Sequence, residues 1–440
     1  MNGFLKSHDF GSKGWKVVIF AFLCYSFGGV LTDCMNSLYG YYEGLFGWAR
    51  TDMALWVSIG TWCSVATVVI CGAFANKLGA KKMLIIGFIG QIVMCLIMAT
   101  LSSYTMFAVA VILNYVAISF VTSFGIQLLG SNWFPKKKGL YMGICTMGLV
   151  ISLTFINAVA GWFINNFGGA SSYFYAAAGL YAVMLIASLL LIHNYPEEEH
   201  AFPDNDSNFD HEEQEKILKA AQLYKSSSPW TVGKMLRDRN AWLIGIGFGI
   251  VNLMGSGING QVFPAMLSFG FDATYINIFL IVILPPALIY SWFGGVLDGK
   301  YGPKFATIFF VSTSAIIGCL MVAFLHQYRW AAAVGVALAM SSTSAGNNMT
   351  MSITSSRYGR YDFVNAWTVI FVISKLVSGL GAYLVSSLAD LPGGYSTSYL
   401  VLAGITVVDM IIIACINSNF VGRTDEDIKQ LMDDGKISVK

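Results

Sequence analysis

Twelve long apolar segments are the feature that most limits how this chain can fold. A helix that crosses a membrane needs about 20 predominantly apolar residues. Only 11% of the 440 residues are charged, whereas a soluble domain carries about 25% charged residues. We therefore predict an all-α, multi-pass membrane protein with twelve transmembrane helices. The predicted spans 1 to 12 are 15–41, 53–76, 83–101, 105–129, 139–165, 171–193, 241–266, 273–297, 305–325, 329–352, 363–388 and 397–419.

The longest connection, 194–240, separates the spans into two groups of six. Its first part is strongly acidic and is predicted to be a solvated linker, while 211–225 is predicted to form an amphipathic helix. The expected organisation is an N-terminal six-helix bundle at 1–193, a cytoplasmic linker at 194–240, and a C-terminal six-helix bundle with a cytoplasmic tail at 241–440.

Basic residues predict the orientation of the chain. If both termini are cytoplasmic, the cytoplasmic termini and loops contain 23 of the 26 lysines and arginines. Only Arg50 and Arg329 fall in outer loops, and Lys375 lies inside a span. Because cytoplasmic loops carry the excess of basic residues, we predict a plasma (inner) membrane location with both termini in the cytoplasm.

An internal repeat relates the two groups of spans. The loops after spans 2 and 8 share a glycine and lysine pattern at a constant offset of 223 residues. A second basic loop, 133–139, lies at the same offset from 356–362. Two loops in register at one offset indicate a duplicated six-helix unit. The matched residues are Gly72, Lys77, Gly79 and Lys81 in the first half and Gly295, Lys300, Gly302 and Lys304 in the second.

These loops resemble the signature loops of the major facilitator superfamily, which implies two pseudo-symmetric six-helix bundles. Glycines let helix ends approach, and basic residues that pair with acids or helix C-termini close a cytoplasmic gate. The sequence departs from the family pattern at Asn76, where an acid is usual, and at Asp298, which stands one residue early. The alternative is that the lysines only set the topology. The predicted gating residues are Gly72, Lys77, Gly79, Lys81, Gly295, Asp298, Lys300 and Gly302.

Three shorter motifs carry a narrower resemblance. The loop 133–143, the entry to span 7 at 235–243 and the run 358–363 are similar to segments of the oxalate/formate antiporter and monocarboxylate group. This resemblance implies a secondary active transporter that moves an organic anion, a monocarboxylate, by alternating access. Antiport and proton symport both remain open.

Three ionisable residues, Asp33, Lys375 and Asp409, lie inside predicted spans. A charge at the centre of a membrane costs about 2.5–3.5 kcal/mol, so such residues persist where they pair, face water or bind a solute. Asp33 shares a polar face of span 1 with Asn36, and we predict that it contacts substrate or carries a proton. The alternative is a structural hydrogen bond to another helix. Asp409, in an outer span, is predicted to have a structural or subunit-contact role.

Lys375 is the predicted substrate-binding cation. It matches the position of a span 11 lysine that binds the substrate carboxylate in the oxalate/formate group, and an incoming anion stabilises a lone cation at mid-membrane. The alternative is a permanent salt bridge, for example to Asp33. Ser291 replaces the cavity arginine that the oxalate carriers of the group have in span 8. One cation instead of two favours a monocarboxylate or a larger organic anion over a small dicarboxylate.

Neutral polar and aromatic residues extend the predicted binding site, although each could equally hold helices together. Aromatic rings would bind the apolar surface of a larger acid. In span 8, Pro285 and Pro286 are predicted to kink the helix. The candidates beyond the charged residues are Asn36, Tyr115, Asn252, Asn259, Tyr290, Trp292 and Asn348.

Other classes of function lack sequence support. A membrane enzyme would need a nucleophile with a base or a metal cluster, and a non-transporting sensor would need signalling domains. The chain has no Walker A motif, and its eight cysteines lack metal-site spacing. We expect no enzyme activity, cofactor, metal or nucleic-acid partner. The expected state is a monomer in the lipid bilayer whose other partner is a small organic anion.

Within transport, the alternatives are a larger amphipathic acid and a zwitterionic or neutral solute. A zwitterion would place its two charged ends against Asp33 and Lys375.

Overall fold

The computed structural model describes residues 9–206, 210–434, 436 and 437. These residues form helices joined by short loops, and none of them belongs to a β-strand. Nine helical segments within the described residues are long and apolar enough to cross a membrane. The predicted all-α fold is therefore confirmed.

The other three predicted spans differ from these nine in identifiable ways. Span 1 is divided into two helices of 16 and 12 residues. In span 5, the apolar helix found within the described residues is the shorter Lys138–Ser152. Span 10 is rich in serine, threonine and asparagine, which lowers its hydropathy although the backbone remains helical.

Contacts within the chain define two compact units. The N-terminal unit comprises Asp9–Trp133 and Gly148–Glu215. Two short 3₁₀ helices, Pro196–Glu199 and Pro203–Asn205, follow its last span. Its longer helical segments are Gly11–Ser26, Met35–Phe46, Arg50–Ala99, Tyr104–Ile118, the π-helical Ser119–Gly125, Ile126–Trp133, the later part of Lys138–Asn166, and Ala170–Leu191. Within Arg50–Ala99, a non-helical turn at Gly79 separates spans 2 and 3.

The C-terminal unit comprises Phe134–Met147 and the described chain from Lys216 onward. It therefore includes the beginning of the span 5 helix. Its helical segments are most of His211–Ser227, then Val232–Met235, Arg239–Ser268, Ala273–Val282, Leu284–Tyr301, Pro303–Ala306, the π-helical Thr307–Ser312, Thr313–Leu325, Arg329–Ser378, Gly381–Ala389, Gly394–Ala414 and Asp425–Asp433.

The repeated loops adopt the same backbone conformation. Gly79 has φ 68° and Gly302, which lies 223 residues later, has φ 85°. Residues with a side chain rarely adopt this left-handed region, whereas glycine enters it without a steric cost. The turn at these two glycines is therefore a structural counterpart of the sequence repeat.

In both units the residue two places after this glycine contacts the end of the last span. The backbone amide of Lys81 donates to Oδ1 of Asn194 at 2.9 Å. In the second half, Lys304 Nζ donates to the carbonyl oxygens of Ala414 at 2.6 Å and Ile416 at 3.0 Å. These bonds satisfy polar groups at the C-terminal ends of spans 6 and 12.

Three spans are broken within the membrane region. Span 1 is not helical over 27–34, span 8 is interrupted at Ile283, and span 11 is interrupted at 379–380. The interruption in span 8 directly precedes Pro285 and Pro286, as predicted, because proline cannot donate a helical hydrogen bond. The continuous helix predicted for span 1 is wrong over the interrupted residues.

Glycines bring span 7 close to span 11. A Cβ atom added to Gly249 would lie 2.8 Å from Cβ of Val377. One added to Gly257 would lie 2.9 Å from the backbone oxygen of Gly381. Lipid tails are as apolar as leucine, so membrane helices associate through such close packing. This packing fixes the height and rotation of span 11 relative to span 7.

The C-terminal tail returns to the loop between spans 10 and 11. Arg357 Nη1 donates to the carbonyl oxygens of Asn417 at 2.6 Å and Asn419 at 3.2 Å. The amide of Val421 donates to the Arg357 carbonyl at 2.7 Å. The tail is therefore attached to the C-terminal unit before its final helix begins at Asp425.

Candidate functional site

Lys375 lies in the last turn of a broken helix. The helical segment Arg329–Ser378, in which a non-helical turn at Gly359 separates spans 10 and 11, ends three residues later, and the chain resumes as Gly381–Ala389. A cation is stabilised at this end of a helix because the helix dipole is negative there. The break therefore makes the position of Lys375 electrostatically favourable for a positive charge in a membrane.

Within its own unit, Lys375 has no fixed counter-ion among the residues that the structure describes. Among the described residues of its own unit, no acidic side chain forms an ion pair with it. Its Nζ lies 5.2 Å from the ring centroid of Phe371, within cation–π range. The side chain is half-buried. A half-buried ammonium group beside an aromatic ring is suited to bind an anion that carries an apolar body.

Asn252 of span 7 reaches the residue next to Lys375. Its Nδ2 donates to Oγ of Ser374 at 3.3 Å, and its Oδ1 is buried without a hydrogen-bond partner among the described residues. Ser256, one turn later, donates to the backbone oxygen of Ser378 at 2.8 Å. Span 7 thus supports the broken end of span 11 and adds an amide beside it. Asn259, on the same span, is exposed.

Asp33 lies in the interrupted part of span 1. Its carboxylate accepts hydrogen bonds from Oγ of Ser152 at 2.5 Å and from Oγ1 of Thr32 at 3.2 Å. A Cβ atom on Gly29 would overlap this carboxylate. The structural hydrogen bond to another helix, which was the alternative prediction for Asp33, is therefore present. The Asp33 side chain is half-buried. Asn36 has a side chain outside the described part of the structure.

Two tyrosines of span 6 bind the interrupted backbone of span 1. Tyr173 donates to the carbonyl oxygen of Val30 at 2.7 Å, and Tyr181 donates to that of Phe27 at 2.8 Å. Both tyrosines are buried. Neither tyrosine was among the residues predicted from the sequence, although two tyrosines eight residues apart in an apolar span were a visible signal.

Asn348 belongs to a buried cluster with Thr146 and Ser291. Oγ1 of Thr146 donates to Oδ1 of Asn348 at 2.6 Å and lies 3.0 Å from Oγ of Ser291. All three residues are buried within the C-terminal unit. Ser291, the position of the absent arginine, is thus occupied by a neutral hydrogen-bonding group. Thr146 was not identified from the sequence.

The three aromatic candidates lie in different places. The ring of Tyr290 stacks on Phe310 of span 9 at 4.2 Å, and its hydroxyl group contacts Ser314. Trp292 is exposed. Tyr115, in the N-terminal unit, packs against Gly60 of span 2.

Tyr290 also lines an open apolar recess of about 580 Å³ at the proline break of span 8. The residues around this recess are Pro285, Pro286, Ile289, Tyr290, Phe293 and Phe310.

The predicted gating residues of the second half meet the start of span 5. A Cβ atom on Gly295 would lie 2.7 Å from the carbonyl oxygen of Gly139, and one on Gly139 would lie 2.6 Å from Cγ of Asp298. Lys300 is exposed with its Nζ 4.9 Å from the ring of Tyr301. Of the remaining predicted residues, Lys77, Gly79, Lys81 and Gly302 lie at or next to the turns after spans 2 and 8. Gly72 lies about two helical turns earlier, within the helix of span 2.

Asp409 is completely buried in span 12. Neither carboxylate oxygen has a hydrogen-bond partner among the described residues. A Cβ atom on Gly247 of span 7 would lie 3.4 Å from its Oδ1. Elsewhere in the described chain, no cluster of three or more histidine, cysteine or acidic side chains could hold a metal ion.

The long apolar helices, the breaks beside intramembrane charges and the repeated turns together define a polytopic membrane transporter. The sequence matches the Major Facilitator Superfamily over residues 18–382. The chain therefore belongs to this family, and its fold is the predicted one of two six-helix halves.

Known structures share this fold at low sequence identity. The proton:xylose symporter XylE has a TM-score of 0.73 and 13% identity over 95% of this chain and 98% of that chain. The human organic anion transporter MFSD10 (TETRAN) has a TM-score of 0.68 and 14% identity over 92% of this chain and 100% of its own. FucP, another transporter of the superfamily, has a TM-score of 0.63 and 13% identity over 91% and 99%.

A curated relative is similar over part of its length. The uncharacterised MFS-type transporter YybF of Bacillus subtilis (strain 168) is 26% identical over 195 residues. The matched region covers 44% of this chain and 47% of that protein, about half the length of the relative. Membership of the Major Facilitator Superfamily supports a role in secondary transport.

Proposed function

We propose that the protein transports an organic anion, a monocarboxylate, and that Lys375 binds the carboxylate group. The observation that carries this proposal is the half-buried ammonium group at a helix break without an acidic partner among the described residues of its unit. A buried charge is costly unless it is paired. An anionic substrate supplies the missing pair when it binds.

The neighbours of Lys375 favour an acid with an apolar body. Phe371 offers an aromatic surface one turn before the ammonium group. Asn252 offers an amide oxygen without a partner among the described residues, which would accept a hydrogen bond from a hydroxyl or amino group of the substrate. A single cation matches one carboxylate.

Asp33 is proposed as the residue that couples transport to a proton or to a second anion. Its hydroxyl neighbours Thr32 and Ser152 can donate to the ionised carboxylate or rotate away when it is protonated. In an antiporter, Asp33 would instead tune the affinity of each exchanged anion. A zwitterionic substrate that needs both Asp33 and Lys375 is the competing candidate.

The cytoplasmic gate is proposed to include the repeated loops. The contact of Gly295 and Asp298 with the start of span 5 supports this role, because a gate must contain surfaces that pack closely when shut. Alternating access would require that packing to open. We further propose a monomer in the plasma membrane with both termini in the cytoplasm.

Uptake into proteoliposomes tests the role of Lys375. Labelled monocarboxylates, a dicarboxylate and an amino acid would be compared for the wild type, Lys375→Ala and Lys375→Arg. Hydrogen bonds to charged groups contribute about 1.5–3 kcal/mol. We therefore expect Lys375→Ala to raise the substrate concentration that gives half-maximal uptake by roughly 10- to 150-fold. Lys436→Ala is the control, because Lys436 is exposed and pairs with Asp434 in the tail.

Normal monocarboxylate uptake by Lys375→Ala would refute the anion proposal. Preferential uptake of the amino acid, lost in both Asp33→Asn and Lys375→Ala, would establish the zwitterion instead. An imposed pH gradient separates symport from exchange, since only a proton symporter accumulates substrate in empty vesicles.

A further inference from the structure

The break in span 1 leaves carbonyl groups without their helical partners. None of the backbone hydrogen bonds among the described residues ends on the carbonyl oxygen of Phe27 or Val30. Within a membrane, an unsatisfied backbone group costs several kcal/mol. An interrupted helix at this depth therefore persists only if other groups of the protein satisfy these oxygens.

Span 6 supplies the missing donors. Tyr173 and Tyr181 lie two helical turns apart, and their hydroxyl groups donate to Val30 and Phe27 at 2.7 and 2.8 Å. Both side chains are almost completely buried. A phenylalanine ring would fill the same space without donating to either carbonyl oxygen, so that Val30 would keep only the weak thiol donor of Cys34 at 2.9 Å. The hydroxyl groups thus have a role that packing alone does not explain.

The break also determines where the Asp33 carboxylate lies. Each residue of an α-helix rotates the side chain by about 100°. Restoring the helix over 27–34 would therefore redirect Asp33 away from Ser152, whose hydroxyl group now lies 2.5 Å from its Oδ2. Gly29 allows the present arrangement, since a side chain there would overlap the carboxylate.

The C-terminal unit contains a similar arrangement at its own intramembrane charge. Span 11 is interrupted just after Lys375, and Ser256 of span 7 donates to the backbone oxygen of Ser378 at 2.8 Å. In each unit, a hydroxyl group from a neighbouring span binds a carbonyl group at the break beside the charge.

We propose that Tyr173 and Tyr181 are positioning residues that hold span 1 in its interrupted form and thereby orient Asp33 for transport. The inference rests on the proposed function only in its last step, the participation of Asp33 in transport. The conformational step can be tested without any substrate.

Alkylation of Cys34 reports on the break, and Tyr181→Phe is the decisive variant because the Tyr173 hydroxyl group also contacts the Cys34 thiol itself. Cys34 is completely buried, and its thiol group donates to the carbonyl oxygen of Val30 that also binds Tyr173. Purified protein would be treated with N-ethylmaleimide, and modification of each cysteine would be followed by peptide mass spectrometry. The buried Cys319 of the other unit is the internal reference.

The variants are Tyr173→Phe, Tyr181→Phe and the double variant, with Tyr175→Phe as the control. Tyr175 lies on the same helix but is 53% exposed. We expect Cys34 to react about fivefold faster in each single variant, the factor that corresponds to one lost hydrogen bond. The reaction of Cys319 and the behaviour of Tyr175→Phe should not change.

Transport provides the second measurement. We expect the double variant to lower the maximal rate of monocarboxylate counterflow per folded protein about fivefold or more. The substrate concentration at half-maximal rate depends on Lys375, so it should stay within about twofold of the wild-type value. In an Asp33→Asn background the tyrosine substitutions should have no further effect on this rate.

Each outcome has a distinct meaning. Unchanged Cys34 alkylation in the double variant would overturn the inference. Faster alkylation of Cys34 and Cys319 alike would also overturn it, because it would indicate general loss of packing. Faster alkylation of Cys34 alone with normal transport would support the positioning of the break but refute the role of Asp33 in the proposed function.

Discussion

A methyl group added at Gly295 should disrupt the packing between span 8 and the start of span 5. The Cβ atom of Gly295→Ala would lie 2.7 Å from the carbonyl oxygen of Gly139 and 3.1 Å from Cα of Gly143. Ordinary contact begins at 3.4 Å, so the helices would have to separate by about 0.7 Å. Both neighbours are backbone atoms and cannot rotate away. Overpacking of this kind costs about 1–3 kcal/mol.

Gly299→Ala is a matched control one turn along the same helix. A Cβ atom there would meet no other atom within 4 Å. Both substitutions gain the same helix propensity, about 0.5–1 kcal/mol. The difference between the two variants therefore isolates the steric cost of about 1–3 kcal/mol.

Two measurements follow from this comparison. Thermal unfolding in detergent should show Gly295→Ala to be less stable than Gly299→Ala. If the contact opens during transport, a 1–3 kcal/mol penalty on the packed form shifts the conformational equilibrium by roughly 5- to 150-fold. The buried Cys145, which follows this contact in span 5, should then react faster with N-ethylmaleimide. Equal stability and equal alkylation in the two variants would refute the reasoning.

Three further predictions concern the turns, the buried cluster and the tail. Gly79→Ala should lower thermal stability more than Gly302→Ala. Both glycines have positive φ, but only the Cβ atom at position 79 would also meet a side-chain oxygen, Oδ1 of Asn194 at 2.6 Å. Equal losses of stability would contradict this. Thr146→Val should cost about 1–3 kcal/mol by leaving Oδ1 of the buried Asn348 without its donor, whereas Thr146→Ser should be nearly neutral in the same unfolding assay. Arg357→Lys should make the tail more sensitive to limited proteolysis, since lysine cannot reproduce the guanidinium contacts with two carbonyl groups.

Hydropathy predicted the fold because the number and length of the apolar segments can be read directly from the sequence. The all-α class, the six-and-six division and the turns at Gly79 and Gly302 all followed from segment length or from a repeated pattern. The break in span 8 was also predictable, since Pro285 and Pro286 forbid specific hydrogen bonds.

The breaks in spans 1 and 11 were not predicted because no single residue dictates them. Span 1 is interrupted where donors from span 6 satisfy the freed carbonyl oxygens, and such a long-range contact is invisible to a local pattern. Likewise, the sequence identified Lys375 as an intramembrane cation but not its position in the last turn of a helix. The cluster around Thr146 depends on which spans pack together, which spacing alone does not determine.

The contacts at the ends of spans 6 and 12 show how far the two halves differ at equivalent positions. The first half uses a backbone amide at Lys81 and the side chain of Asn194, while the second half uses the side chain of Lys304 and backbone carbonyl groups. At equivalent places, the two halves thus differ in which partner contributes its side chain and which its main chain. Both halves carry a lysine at this position, Lys81 and Lys304. A loop grafted from one half onto the other would therefore keep the lysine, and only the group it meets at the end of the last span would differ, a side-chain oxygen in the first half and backbone carbonyl groups in the second.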